Sequence, residues 1–130
     1  MINVKSGTIF DETSKKYPAL ETKVLDFISL KTTNPSQKFG SSDYPFNSDG
    51  PLGKMKLKHA KVTQDISILY KIAGSPSTLY LYGLFSHKES GTDNTKNNNL
   101  QKSLATKLKN QFPDLKDDFD YLLDPIDTLL

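Results

Sequence analysis

The sequence predicts a single α+β domain: an N-terminal helix or helices packed on a twisted antiparallel sheet of at least three strands, with an added C-terminal helix. Three observations predict it. Residues 66 to 86 alternate with period two on either side of a Gly-Ser-Pro-Ser turn, residues 18 to 33 repeat apolar side chains at helical spacing, and Leu100, Leu104 and Leu108 recur every four residues. At 130 residues the chain has the size of one domain and buries roughly two thirds of its unfolded surface on folding, so one core suffices.

The first ten residues carry Ile2, Val4 and Ile9 in weak alternation and read as a first strand. From Pro18 the period changes. Proline presets the helical φ at a position whose N–H is not needed, Glu21 sits in the first turn, and Leu20, Val24, Phe27 and Ile28 form an apolar stripe that closes at Asn34-Pro35. Residues 34 to 53 are rich in Ser, Asn, Asp, Gly and Pro, with Tyr44 and Phe46 as the large apolar anchors. They read as a long loop, and loops of that length are uncommon unless functional or mobile.

Period two then returns. In a strand over residues 54 to 62, Met55, Leu57, His59 and Lys61 share one face, and Lys54, Lys56, Lys58 and Ala60 the other. In the following hairpin Ile66, Ile68, Tyr70 and Ile72 alternate with Ser67, Leu69 and Lys71; after the turn, Leu79, Leu81, Gly83 and Phe85 alternate with Tyr80, Tyr82 and Leu84. Both strands are apolar on both faces near their middles, which suits the centre of a sheet covered by helices on one side. Residues 91 to 99 form an Asn-rich loop, and a second helix over residues 100 to 112 exposes Lys102, Lys107 and Lys109. Past Pro113, Phe119, Leu122, Leu123 and Ile126 make a short apolar stripe among aspartates. The chain thus divides into a domain of residues 1–113 and an acidic tail or short docking helix of residues 114–130.

Charge follows the same division. Residues 1–113 carry a net +7 and residues 114–130 a net −5. A basic body with an acidic tail points to a polyanionic partner, RNA above all, against the plainer reading that lysines solvate the surface. All 17 basic residues are lysine, which excludes bidentate arginine forks to phosphate or guanine. With no cysteine, a disulfide framework, a thiolate zinc site and a thiol nucleophile are excluded. Two histidines leave little for a histidine-rich metal site, so neither metal nor cofactor is expected. No apolar run reaches the roughly 18 residues of a bilayer span, and the expected setting is cytoplasmic, away from membranes.

The nucleophile elbow, the phosphate loop, G-x-G-x-x-G and H-E-x-x-H are all missing from the sequence. What remains is a group of titratable residues at strand ends: His59 and Lys61 on one face, Asp65 before the hairpin and His87 after it. The start of one hairpin strand lies beside the end of the other, so Asp65 is expected near His87. A carboxylate beside an imidazole favours its charged form, and either group then moves protons near neutral pH. Lys61 and Lys88 are candidates to stabilise a phosphate carrying extra charge, and Lys54, Lys56 and Lys58 to bind the RNA backbone. Each has a plainer rival: a surface histidine, turn chemistry for Asp65, sheet propensity for Tyr70, Tyr80 and Tyr82.

The run from Lys61 through Asp65 and Tyr70 to Ile72, then Leu79 to Phe85 and Ser86-His87-Lys88-Glu89, resembles the RelE superfamily of bacterial toxins and within it the YafQ-like branch. The resemblance covers about residues 52 to 90 and implies two N-terminal helices on an antiparallel sheet, in a toxin of a toxin-antitoxin system. Its implied activity is metal-independent endoribonuclease cleavage of messenger RNA at the ribosome, by attack of a ribose 2′-hydroxyl, and its implied protein partner is a cognate antitoxin. Asp65 and His87 fall on two positions of the family's catalytic set. Ile66 stands where the family has Trp, Lys61 where it has His, and Gly91 where it has an aromatic, while His59 is on the right strand face to replace the missing imidazole. The roles implied are His87 as general acid, Asp65 or His59 as base or orienting group, and Lys61 as phosphate stabiliser. A non-catalytic binding protein on the same scaffold, such as a ParE-like gyrase inhibitor or a mobile-element regulator, is the alternative.

Overall fold

The computed structural model describes residues 2–74, 76–92 and 97–115. Strand β1 (Asn3–Ser6) leads into helix α1 (Thr8–Lys16), a 3-10 turn over Pro18–Leu20, and helix α2 (Glu21–Thr33). Strand β2 (Asp43–Pro45) and the short helix α3 (Pro51–Lys54) follow, then strands β3 (Lys58–Lys61), β4 (Ile66–Ala73) and β5 (Thr78–Ser86). The short helix α4 (His87–Ser90) and helix α5 (Asn98–Leu108) complete the described elements. The α+β class, the N-terminal helices on the sheet and the added C-terminal helix are as the sequence predicts.

The sheet has five strands in the order β1-β5-β4-β3-β2. Strands β2 to β5 pair antiparallel, but β1 lies parallel to β5, with Val4 opposite Leu79. The sheet is therefore mixed. Gly7 ends β1 and caps α1, so Ile9 and Phe10 belong to a helix rather than to the expected first strand. The buried positions Ile9, Phe10 and Thr13 have helical spacing. Beyond Leu81, β5 has no β1 neighbour, and the Thr13 hydroxyl accepts from the Leu84 backbone N–H at 3.0 Å. That bond satisfies a buried donor and fixes α1 to the sheet.

Helices cover both faces of the sheet, not one. On one face Phe10 of α1 and Val24 and Phe27 of α2 pack against Ala60, Ile68, Tyr70, Leu79, Leu81 and Leu84. On the other, Leu52 of α3 and Leu104, Ala105 and Leu108 of α5 pack against Leu57, Leu69, Tyr80, Tyr82 and Phe85. Strands apolar on both sides require cover on both sides.

A bulge corrects the expected faces of the hairpin. Residues 66 to 69 of β4 pair with residues 86 to 83 of β5, and residues 70 to 73 with 81 to 78, so Tyr82 is an extra residue. Alternation resets there, and Phe85 joins Tyr80 and Tyr82 while Leu84 joins Leu79 and Leu81. Gly83 is needed at the reset: a Cβ there would lie 2.5 Å from the Phe85 ring.

The expected strand over residues 54 to 62 is shorter. Residues 51 to 54 form α3, Lys56 takes a φ of 59°, and the ladder begins at Lys58. Proline at the first position of α3 starts a helical turn. Left-handed Lys56 then turns the chain so that Met55 and Leu57, both fully buried, enter the core. Lys54, Lys56 and Lys58 are exposed but form no row along a strand.

The long loop is anchored. In it β2 pairs with β3, Asp43 opposite Ala60 and Tyr44 opposite His59. Asp43 is buried with Lys31 of α2, Nζ to Oδ2 at 2.6 Å, and accepts from Tyr70 Oη and the Phe39 N–H. Lys31 also donates to the Gln37 carbonyl at 2.6 Å and lies over the Tyr70 ring. The network ties α2, the loop and the sheet together, and the sequence reading missed it.

At the other end α5 stops at Leu108 rather than residue 112, yet Phe112 and Leu115 remain in the core. Asp114 accepts from Tyr80 Oη at 2.5 Å and pairs with Lys5 at 3.1 Å. The body therefore extends through Leu115, past the expected boundary at residue 113. The apolar stripe at Phe119, Leu122, Leu123 and Ile126 lies outside the described residues.

Candidate functional site

Asp65 and His87 meet because of the hairpin register. Ile66 is opposite Ser86, so the residues just outside that pair are adjacent, and His87 Nδ1 lies 3.9 Å from Asp65 Oδ1. That distance is too long for a hydrogen bond. With Nδ1 turned to the carboxylate, Nε2 is the ring atom left for other chemistry. His87 is not in a loop after the strand but opens α4. Ser86 and Glu89 form a reciprocal capping box, with Ser86 Oγ accepting from the Glu89 N–H at 3.0 Å and Glu89 Oε1 accepting from the Ser86 N–H at 2.9 Å. The S-x-x-E spacing that announces such a box was readable in the sequence.

His59 sits on β3 opposite Leu69 and Tyr44, half buried. Its ring stacks on Phe46, centroids 4.3 Å apart at 25°, with Tyr44 edge-on at 5.7 Å. Burial first, and then the nearby charges of His87 and Lys61, lower its pKa below 6.5, while Asp43 opposes them. His59 is therefore neutral at pH 7, with a lone pair available to take a proton.

The two imidazoles line one cavity of about 260 Å³, together with Pro45, Phe46, Asn47, Gly50, Thr92, Asn98 and Gln101. Asp65 stands outside it, behind His87. Lys61, half buried opposite Ser67, lies two residues beyond His59 on the same face, and its charge is felt at the His59 ring. Lys88 is exposed beside His87. Lys54, Lys56 and Lys58 lie near the α3 end of the sheet, outside the cavity lining.

The cavity residue that sequence reasoning missed is Gln101. The buried face of α5 is Gln101, Leu104, Ala105 and Leu108, not the stripe that begins at Leu100, which is 37% exposed. A glutamine at the first position of an i, i+3, i+4, i+7 face is the signal that was available. Among the described residues no group of three or more His, Asp and Glu is placed to hold a metal, and no helix is long and apolar enough to cross a membrane.

No family model, no curated protein and no solved structure matches the chain.

Proposed function

We propose that this protein is an endoribonuclease of the RelE type, cleaving messenger RNA by proton transfer between two histidines. The observation that carries the reading is the cavity shared by His59 and His87, one imidazole held neutral by burial and the other backed by Asp65. Paired acid and base groups around one concave site are what phosphodiester cleavage without a metal needs.

In the proposed reaction neutral His59 takes the proton from a ribose 2′-hydroxyl, whose oxygen attacks the adjacent phosphorus. The phosphorane carries an extra negative charge, which Lys61 and Lys88 stabilise. His87 Nε2 gives a proton to the departing 5′-oxygen. The products are a 2′,3′-cyclic phosphate and a 5′-hydroxyl, and the two histidines exchange protonation states. The exposed lysines 54, 56 and 58 serve as backbone contacts. The ribosome and a cognate antitoxin remain the proposed partners on that resemblance alone.

The test is induced expression with mapping of transcript ends, alongside purified protein on an unstructured RNA in EDTA. Cyclic-phosphate ends that vanish in both His59→Ala and His87→Ala support the nuclease. RNA binding without cleavage, or equal growth arrest by wild type and both variants, leaves the non-catalytic binding protein as the better account.

A further inference from the structure

Beyond its histidines, the cavity has walls that proton transfer does not use. Gln101 is 8% exposed and lines the space. Its Nε2 donates to the Gly91 carbonyl at 2.9 Å, which fixes the amide plane. Its Oε1 faces Gly50 across the cavity wall, since a Cβ on Gly50 would lie 2.9 Å from it. Oε1 accepts no hydrogen bond among the described residues. An acceptor held in a fixed orientation can take a hydrogen bond from a donor that enters the cavity.

Asn47, whose Oδ1 accepts from the Asp49 N–H at 3.0 Å, and Asn98 line the same space. The Phe46 ring supplies a flat apolar side already stacked on His59. At 260 Å³ the cavity is smaller than the roughly 300–1,000 Å³ of sites for drug-sized ligands, and suits one planar ring system better than a whole nucleotide.

We infer that this cavity receives a single unpaired nucleobase, stacked beside Phe46 with an N–H of its edge donating to Gln101 Oε1. The inference rests on the nuclease reading, since the base so held places its own ribose and phosphate between His59 and His87. The acceptor needs a base that presents an N–H on its edge, which the exocyclic amines of adenine, cytosine and guanine and the ring N3–H of uracil all supply.

The experiment is an NMR titration of the intact chain with AMP, CMP, GMP, UMP and the base-free ribose 5-phosphate, followed at the His59 and His87 ring protons and the Gln101 side-chain amide. Gly50→Ala is the primary variant: the φ of −88° at Gly50 suits alanine, and the new methyl crowds Oε1 and narrows the cavity without touching the histidines. All four nucleotides should shift the cavity signals, ribose 5-phosphate should bind at least tenfold more weakly than AMP, and Gly50→Ala should weaken AMP about tenfold at unchanged melting temperature. Gln101→Leu repeats the test if Gly50→Ala unfolds. No shift with any nucleotide, equal binding of AMP and ribose 5-phosphate, or unchanged affinity in a folded variant overturns the base pocket. Cleavage of RNA polymer to cyclic-phosphate ends is scored separately, so the nuclease reading survives or fails on its own result.

Discussion

Lys31 and Asp43 form a fully buried ion pair, 2.6 Å apart, between a helix and an edge strand, with Tyr70 and the Phe39 N–H completing the carboxylate's bonds. The pair closes the loop that carries Phe46 and Asn47 to the cavity, so it shapes the site without entering it. Removing one partner of a buried pair leaves the other charged and uncompensated, at about 3–5 kcal/mol. Lys31→Met should cost that much in urea denaturation. Burial alone would raise the Asp43 pKa, but the bonds from Lys31, Tyr70 and Phe39 outweigh it and hold the carboxyl below its ordinary value. A depressed acid stabilises the fold above its unfolded pKa, about 3.9, and that stability is lost as pH falls through the folded value. Asp43→Asn should therefore flatten the acid side of the stability curve.

For His59 the sign is read in the same way, with a base in place of an acid. The folded protein resists protonating it, while the unfolded chain accepts the proton near pH 6.5, so this residue weakens folding as pH drops below about 6.5. As the proposed general base it must be neutral to act, which puts the acid limb of kcat/KM below pH 6.5. Phe46→Ala opens the stacked side of the ring to water, relieves the burial that lowers the pKa, and should move that limb upward. A limb that stays in place in Phe46→Ala would separate His59 from the reaction.

His87 and Asp65 should differ sharply in what their loss costs. His87→Ala removes the proposed proton donor, and general acid catalysis contributes roughly 10²–10⁴-fold in rate. Asp65 has a side chain 70% exposed and stands 3.9 Å away, and exposed pairs contribute at most about 1 kcal/mol, so Asp65→Asn should reduce cleavage less than tenfold. Single-turnover cleavage assays with melting curves check both. A His87→Ala protein that cleaves like wild type removes it from the mechanism.

Gly83→Ala tests the bulge. The added methyl would meet the Phe85 ring at 2.5 Å, with Ile9 of α1 at 3.4 Å, so the ring must shift to admit it. Overpacking of this kind costs about 1–3 kcal/mol. Denaturant midpoints report it, and a neutral substitution would mean that the Phe85 ring swings aside without cost.

What the sequence disclosed follows from which interactions are local. The turn at Gly74 and the alternation on either side made the β4–β5 hairpin readable, and the antiparallel register then placed Asp65 by His87. The stripe of Val24, Phe27 and Ile28 similarly marked α2. Alternation cannot reveal a one-residue insertion between two apolar stretches, so the faces were misread beyond Leu81. Nor does it name a partner: β1 pairs with β5 across more than 70 residues of chain, and Lys31 finds Asp43 only after α2 has packed. His59 and His87 were both visible as candidates, but the wall they share with Gln101 depends on α5 crossing the second face of the sheet, which a single-sided sheet did not anticipate.

The end of the chain separates two effects that the division at residue 113 would confound. Leu115 is 7% exposed within the core, and Asp114 holds Tyr80 and Lys5. A chain ending at Pro113 loses both, and burying a leucine contributes about 1.5–3 kcal/mol, so its melting temperature should fall whatever the rest of the tail does. A chain ending at Leu115 keeps those contacts and removes five of the six aspartates of residues 114–130. If these aspartates compete with phosphate for the lysines of the body, that shorter chain should melt like the full chain yet bind RNA more tightly. The gain should be largest at low ionic strength and fade as the screening length shrinks from about 10 Å at 0.1 M salt to about 3 Å at 1 M. Equal RNA affinity of the full chain and the chain ending at Leu115, across that salt range, would eliminate competition by the tail.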